Sequence, residues 1–407
     1  LQELLASLHF TKSMRWNSSN VMFSRPIRWL LALYGTVRIP VEYANLISEN
    51  MTRGLRFRDE ATFCVNNVTD YFEFMRSQGI ILGQEERRKV IMEQVRQICQ
   101  SMHASEEVDE DLVEEVCNLV EAPTAMLGNF SKEHLKLPQE VLIEVMKKHQ
   151  RYFPLLTQDK SLLPNFITVI NGNDKYLPVV ARGNEEVIEA RFKDADFFIH
   201  EDSQHDLEWF RSKLSTLTFH LALGSMLAKN ERIERIVSEL IPYFALSEVE
   251  AEHAIRAAHL CKADLATNMV IEMTSLQGTM GKYYARWKGE AEAVALALEE
   301  QYFPRFAGDQ IPSSKIGLLL GLADRLDSLV GLFAVDMVPN GTKDPFGLRR
   351  AAIGIIQVLI EWKSDFNVLQ GLNIASKSLP LEIKADQLRA CSDFIKARLV
   401  NYLLEKG

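Results

Sequence analysis

The chain has 407 residues, more than a single hydrophobic core usually holds, so roughly two to four domains are expected. Its hydrophobic fraction of 47% is typical of a folded globular protein. No uninterrupted apolar run approaches the roughly 20 residues that a bilayer-spanning helix needs. The net charge of −9 argues against nucleic-acid binding over the whole surface, because phosphate neutralisation requires clustered lysine and arginine. Any contact with RNA must therefore be local.

The chain ends and the cysteines indicate the context of the protein. The first residue is a leucine, no charged-then-apolar signal pattern follows, and the last residues fall inside a helical pattern, so we expect an internal piece of a longer protein. The five cysteines are odd in number and far apart, without the spacing of a disulfide framework or a zinc ribbon. This usage favours a reducing compartment.

The first part of the chain alternates strand-like segments with turns. Strands are predicted at residues 28–34, which Gly35 closes, at 37–43, which contains Pro40, and at 55–57, which follows Gly54. Helical periodicity then predicts helices over residues 84–100 and 111–120.

A second mixed segment follows, and the remainder is helical. A helix is predicted over 139–149 after a proline, then strands at 152–156 and 165–170. From residue 183 the periodicity is helical almost to the end. The prediction is an α+β protein, with an N-terminal mixed α/β region followed by a mainly helical part. Four regions are expected: 1–135, 136–215, 216–337 and 338–407.

The segment 317–325 superficially resembles a glycine-rich ATP-binding motif that ends in arginine, but it lacks an intervening glycine. A helix explains the segment better, because small and polar residues recur at three- and four-residue steps along one face. No phosphate loop and no dinucleotide-binding signature is present in the sequence.

A metal-dependent phosphohydrolase of the His-Asp type is a second possibility. Its metal ligands would be His259, Asp264, Asp324 and Asp327. The defining His-Asp dipeptide is absent, and Lys262 precedes the candidate aspartate at a position where an ammonium group would repel a divalent cation. The alternative is that Asp324 and Asp327 make polar contacts to neighbouring backbone or to Lys262.

Two short segments carry clustered basic residues. Arg53, Arg56 and Arg58 surround a glycine, on a predicted strand that could contact phosphate or serve as an ordinary amphipathic edge strand. Lys148 and Arg151 lie at a predicted helix end, where cations also interact favourably with the helix dipole.

The segment 344–350 predicts a helix start that carries two arginines. Asp344 is a good N-cap and Pro345 a good first-turn residue. Arg349 and Arg350 lie one turn into this helix, where the dipole disfavours cations, so we expect either an external anion or an acidic neighbour such as Asp324 or Asp327.

Motifs in a fixed order along nearly the whole chain resemble those of the glycyl-tRNA synthetase β-subunit family. They are Phe23–Trp29, Arg53–Phe57, His149–Pro154, Leu163–Phe166, Arg182–Glu185, Arg191–Phe198, Lys262–Leu265, Gln277–Gly281, Pro304–Asp309, Ala323–Asp327 and Asp344–Arg350.

The resemblance implies a non-catalytic, tRNA-recognising part of a glycine–tRNA ligase. In the family the α subunit carries the active site for glycine and uses ATP and magnesium, and the enzyme assembles as a dimer of α-β units. The family also contains a degenerate His-Asp-type helical domain, followed by a helical linker and an anticodon-binding domain, which would begin near residues 388–404. The tRNA-binding residues implied here are Arg53, Arg56, Arg58, Lys148, Arg151, Lys262, Arg349 and Arg350.

Two details refine the resemblance. Leu55 stands where many relatives have histidine, so a role of that histidine is not expected in this chain. The sequences of residues 327–333 and 344–350 resemble those of plant organellar enzymes, in which α and β regions are fused. This resemblance implies that the protein works in a chloroplast or mitochondrion. The cytoplasm of a bacterium is the alternative.

Overall fold

The structure is a computed structural model, and it describes residues 1–55, 62–172, 174–306 and 308–406. The chain divides into two compact units, one formed by Leu1–Gln139 and Val145–Arg191, the other by Glu140–Glu144 and Phe192–Gly407. The finer division into four regions stays a prediction. Across the described ranges, no helix is long and apolar enough to cross a membrane.

The helices, in chain order, are α1 (Gln2–Ala6), α2 (Val68–Ser77), α3 (Gln84–Ser101), α4 (Glu110–Cys117), α5 (Gln139–Glu144), α6 (Leu177–Asp202), α7 (Leu207–Lys213), α8 (Met226–Leu240), α9 (Glu248–Leu260), α10 (Asn268–Glu272), α11 (Thr279–Trp287), α12 (Glu292–Glu300), α13 (Lys315–Ala334), α14 (Leu348–Glu361), α15 (Val368–Ser378) and α16 (Ala385–Lys406).

The strands are β1 (Met14–Arg15), β2 (Met22–Phe23), β3 (Leu33–Tyr34), β4 (Val37–Arg38), β5 (Glu42–Tyr43), β6 (Leu46–Ile47), β7 (Met51–Thr52), β8 (Phe63–Cys64), β9 (Pro123–Asn129), β10 (Phe153–Leu156), β11 (Leu162–Asn171), β12 (Thr218–His220) and β13 (Gly224–Ser225). The α+β prediction and the helix expected at 84–100 are confirmed, and the helix expected at 111–120 is present but ends at Cys117.

The N-terminal hairpins are much shorter than the strands predicted at 28–34 and 37–43. β3 pairs with β4 across a turn in which Gly35 has a φ of 61°, and β5, at the end of the second predicted strand, pairs with β6 instead. Pro26 and Pro40 flank this stretch, and because proline has no backbone N–H, each shortens the ladder that the neighbouring residues could form. The strand predicted at 55–57 falls, apart from Leu55, on residues outside the described part.

Unit one is organised by an antiparallel sheet in the order β10-β11-β9. The long central strand β11 was predicted, but β9 was not, because its run from Thr124 to Gly128 lacks the alternation of polar and apolar residues. Phe166 pairs with Gly128 across this ladder, and its ring occupies the space of the missing side chain.

Helices α3 and α4 pack on this sheet and form the core of unit one. Ile91 and Val95 of α3 and Val113 of α4 are fully or nearly fully buried together with Phe153 and Ile167 of the sheet. The burial of one such side chain stabilises the fold by about 1.5–3 kcal/mol relative to leaving it exposed.

Unit two is built around α13, which is apolar on nearly all sides, as a central helix must be. Ser314 caps its N-terminus by accepting a hydrogen bond from Gly317 N. Leu319, Leu326 and Leu329 are fully buried against the surrounding helices of the unit. The helical interpretation of 317–325 is therefore confirmed.

The helix predicted to begin at Pro345 begins at Leu348 instead. Asp344 does cap it, because its carboxylate oxygens accept hydrogen bonds from Leu348 N and Arg349 N, each at 2.9 Å. Gly347, with a φ of 66°, is in a left-handed conformation that an α-helix cannot contain, so the turn closes before the helix starts.

Candidate functional site

A buried group of charged side chains joins α8 to α13 in unit two. Lys229 Nζ lies 2.9 Å from Asp324 Oδ1 and 2.9 Å from Asp327 Oδ2. The guanidinium group of Arg232 approaches both oxygens of Asp327, at 2.6 and 3.2 Å. Such fork geometry suits a guanidinium and a carboxylate, and it compensates for the removal of both from water.

Lys262 adds a second ammonium group to this cluster. It follows α9 with a φ of 67°, and this conformation directs its side chain toward α13. Its Nζ donates to Asp324 Oδ2 at 2.7 Å and lies 4.0 Å from the centre of the Tyr302 ring. With 4% of its side chain exposed, Lys262 has an internal partner, and the RNA contact expected of it would require that pair to open.

The lysines determine the charge state of Asp324. Burial acts to raise the pKa of its carboxyl group, but the charges of Lys229 and Lys262 outweigh burial and hold that pKa well below its usual range. For Lys229, burial acts to lower the pKa of the ammonium group. The charges of Asp324 and Asp327 outweigh burial and raise that pKa. Asp324 and Lys229 are therefore both charged at neutral pH.

Asp264 has a different role, because it binds a backbone N–H group rather than these cations. Its Oδ2 accepts a hydrogen bond from Gly278 N at 2.5 Å, and burial raises the pKa of its carboxyl group. A Cβ added at Gly281 would meet the Asp264 carboxyl carbon at 3.3 Å, so the absence of a side chain at Gly281 allows this close approach. Asp264 thus anchors the start of α11.

His259 has carboxylate partners rather than a metal-ligand set. Its Nε2 lies 3.0 Å from Glu208 Oε2 and its Nδ1 lies 3.2 Å from Glu234 Oε2. Among the residues that the structure describes, no group of three histidine, cysteine or acidic side chains could hold a metal ion. Ammonium groups 2.7 to 2.9 Å from Asp324 would also repel a divalent cation. The hydrolase alternative has no support here, whereas the predicted Asp324–Lys262 contact is confirmed.

The other predicted RNA-binding residues are dispersed over the chain. Arg151 pairs with Glu115, Nε to Oε1 at 2.7 Å, and also donates to the carbonyl oxygen of Lys148. Lys148 itself is exposed. Arg53 is exposed and lies over Trp29, whereas Arg56 and Arg58 lie outside the described residues.

Neither arginine of the segment 344–350 reaches Asp324 or Asp327. Arg349 donates from Nη2 to the carbonyl oxygen of Gly341 at 2.5 Å, which ties the preceding turn to the first turn of α14. Arg350 is exposed, and it has no carboxylate partner within the described ranges. The acidic neighbours proposed for the pair are occupied by Lys229, Lys262 and Arg232.

Sequence reasoning missed Lys229 and Arg232, although α8 carries a signal for both. Ile233 and Ile236 form the buried face of this helix, and the two cations lie four residues before them on the same face. A charged residue at an apolar helical position indicates a buried partner, but the spacing does not say which carboxylate it meets.

The whole chain, residues 1–407, matches the family model described as glycyl-tRNA synthetase beta subunit. It is 41% identical, over its full length, to the glycine–tRNA ligase beta subunit of Moorella thermoacetica, of which it covers 60%. It is 45% identical over 89% of its length to the beta subunit of Clostridioides difficile, covering 52% of that protein.

A plant protein matches equally well. The chain is 42% identical over its full length to the Arabidopsis thaliana protein named glycine–tRNA ligase, chloroplastic/mitochondrial 2, of which it covers 38%. The chain thus spans between about two fifths and three fifths of the length of these relatives. It belongs to the glycyl-tRNA synthetase β-subunit family.

Proposed function

We propose that this chain is a non-catalytic, tRNA-binding part of a glycine–tRNA ligase, acting with an α part that attaches glycine to its tRNA at the expense of ATP. The observation that carries the proposal is the family match over all 407 residues. In this arrangement ATP and magnesium bind to the α part, the chain docks on that part, and two α-β units form the enzyme.

The arrangement of charge supports local RNA contact rather than binding over the whole surface. The chain carries a net charge of −9, and several of its cationic side chains form internal ion pairs with carboxylates. Lys229, Arg232 and Lys262 are among them. Exposed cations without such pairs, Arg53 and Arg350 among them, remain available to phosphate within the described residues.

A third possibility is that the chain mainly serves as a scaffold for assembly, with its arginines in internal ion pairs. It would be supported if Arg349 and Arg350 were buried against Asp324 or Asp327. Lys229 and Lys262 hold Asp324, and Lys229 and Arg232 hold Asp327, so this support is absent. The relatives include bacterial proteins and a plant protein named as chloroplastic and mitochondrial, and we propose that the chain works in one of these two settings.

A filter-binding titration of the chain with glycine tRNA tests the proposal. We expect affinity to fall steeply with salt, since phosphate contacts release counterions. We infer that the chain contacts the acceptor arm of the tRNA. A glycine tRNA with an altered anticodon should therefore bind as tightly as the native one, and an acceptor-arm hairpin should compete with both. Absence of RNA binding even at about 50 mM salt would overturn the proposal.

A further inference from the structure

The first 55 residues form a basic region in an acidic protein. They contain six lysines and arginines against three glutamates. All six cationic side chains are exposed, and within the described ranges none makes an ion pair with a carboxylate. They are Lys12, Arg15, Arg25, Arg28, Arg38 and Arg53.

Several cations elsewhere in the chain do pair with carboxylates. In the remainder of unit one, Arg88 pairs with Glu110 at 2.9 Å and Arg151 with Glu115 at 2.7 Å. An unpaired, exposed cation costs little in water, but six of them in a short segment repel one another. A surface that accumulates such repulsion is complementary to an anionic partner.

Trp29 and Arg53 form the best-defined part of this region. The guanidinium carbon of Arg53 lies 5.5 Å from the centre of the Trp29 ring, and 42% of Trp29 is exposed. The backbone holds both residues in place. Leu30 O accepts a hydrogen bond from Glu49 N at 2.9 Å, and Thr52, just before Arg53, pairs with Phe63 across the β7–β8 hairpin.

Arg25 and Arg28 lie just before Trp29 in the sequence, and we call these two arginines, Trp29 and Arg53 the platform. Arg28 directly precedes Trp29, and Arg25 precedes Pro26, whose ring restricts the backbone between the two arginines. Glu49 is joined to Leu30 by a backbone hydrogen bond, but its side chain is exposed and makes no ion pair with these arginines within the described residues. The platform therefore keeps its positive charge.

We propose that Arg25, Arg28, Trp29 and Arg53 bind an unpaired segment of tRNA. This inference rests on the proposed function and assigns a place to its RNA contact. A base stacks on the exposed surface of Trp29 beside Arg53, while Arg25 and Arg28 bind the flanking phosphates. Single-stranded nucleic acid is bound by this combination of an aromatic ring with nearby cations.

The residue types favour RNA over an acidic protein surface. Five of the six cations in the region are arginines, whose planar fork binds phosphate through two hydrogen bonds and also stacks on bases. Trp29 presents an aromatic surface with no hydrogen-bonding specificity, which suits stacking on any base. An acidic protein would need the cations but not the exposed indole.

The test compares two classes of variant by filter binding of glycine tRNA and of a single-stranded oligonucleotide. Arg25→Ala with Arg28→Ala should weaken binding about tenfold and reduce the slope of log affinity against log salt by about two. Trp29→Ala should also weaken binding but leave the slope unchanged, because stacking releases no counterion, and Trp29→Phe should retain most of the affinity.

The matched control neutralises two exposed cations of unit two, Arg235 and Lys377, which make no ion pair in the described part of the chain. Arg25→Lys with Arg28→Lys should keep the salt slope, and unchanged urea unfolding midpoints would exclude loss of structure as the cause.

Three outcomes would count against the inference. If the unaltered chain binds no RNA, the proposed function fails and this site with it. If the unaltered chain binds RNA and the double alanine variant binds as the control does, the function stands and the site is wrong. If that variant keeps its RNA affinity but no longer binds the α part, the surface is a protein interface.

Discussion

Lys262 Nζ lies 2.7 Å from Asp324 Oδ2, and this buried contact occupies the position where the hydrolase alternative would need a metal ion. Lys229 approaches the other oxygen of the same carboxylate at 2.9 Å. Two ammonium groups thus surround Asp324. Through them this residue of the central helix α13 is linked to α8 and to the segment after α9.

Asp324→Asn should destabilise unit two strongly. The substitution leaves two buried ammonium groups without their shared counter-charge, and the loss of one partner from a buried ion pair costs about 3–5 kcal/mol. Urea unfolding followed by circular dichroism measures the change. As a control, Lys160→Ala removes an exposed pair with 3.9 Å between Lys160 Nζ and Glu107 Oε2, and should change the free energy of unfolding by less than about 0.5 kcal/mol. Equal effects of the two variants would contradict the role given to Asp324.

The stability difference between the unaltered chain and Asp324→Asn should depend on pH in the acid range. The pKa of Asp324 is lowered in the folded chain, so its stabilising contribution is complete above the unfolded-state pKa of about 3.9 and is lost as pH falls through the folded-state value. Asp264 has a raised pKa and therefore contributes in the opposite sense, with stability lost as pH rises, but it is common to both proteins and cancels in the difference.

Urea unfolding of both proteins at intervals from about pH 7 to pH 2 measures this difference. It should be constant above about pH 5 and shrink below about pH 4, because the unaltered chain protonates Asp324 on unfolding whereas the variant has no such group. A difference that stays constant down to the lowest pH would show that the pKa of Asp324 is not lowered.

Replacement of Arg349 and Arg350 by alanine should weaken the binding of glycine tRNA and reduce the salt slope by about two, if both contact phosphate. Arg350 is exposed without a carboxylate partner in the described ranges, whereas Arg349 also holds the carbonyl oxygen of Gly341. Single variants therefore separate the two roles, since Arg350→Ala should affect only binding, and Arg349→Ala should also lower the melting temperature. Unchanged tRNA affinity in the double variant would remove both residues from the RNA-binding surface.

Treatment with a chelator should leave the thermal unfolding of the chain unchanged. The four candidate ligands are already engaged: Asp324 and Asp327 by cations, Asp264 by Gly278 N, and His259 by two glutamates. Metal analysis of the purified chain provides an independent measurement. Stoichiometric transition metal that disappears in Asp264→Ala would instead revive the hydrolase alternative.

Local sequence patterns predicted those elements whose signals lie within a few residues. The helix over residues 84–100 and the helical character of 317–325 followed from periodicity, and both are confirmed. The start of α14 was placed three residues too early, because Asp344 and Pro345 are good capping residues and the left-handed conformation of Gly347 becomes evident only from its backbone geometry. Strand β9 was missed since its stabilisation comes from pairing with β11 rather than from its own alternation.

The sequence by itself determined the family, because motifs in a fixed order over the whole chain are specific even where each is short. It also determined which residues were candidates for RNA contact, but not which were free to make one. Lys262 and Arg350 were both expected to contact RNA, yet the first is buried against Asp324 and the second is exposed. Only the tertiary structure decided which cations are free, because Asp327 lies 98 residues from Lys229 and Asp324 lies 62 residues from Lys262 along the chain. Helical periodicity predicts the face on which a side chain lies, but not which other helix that face contacts.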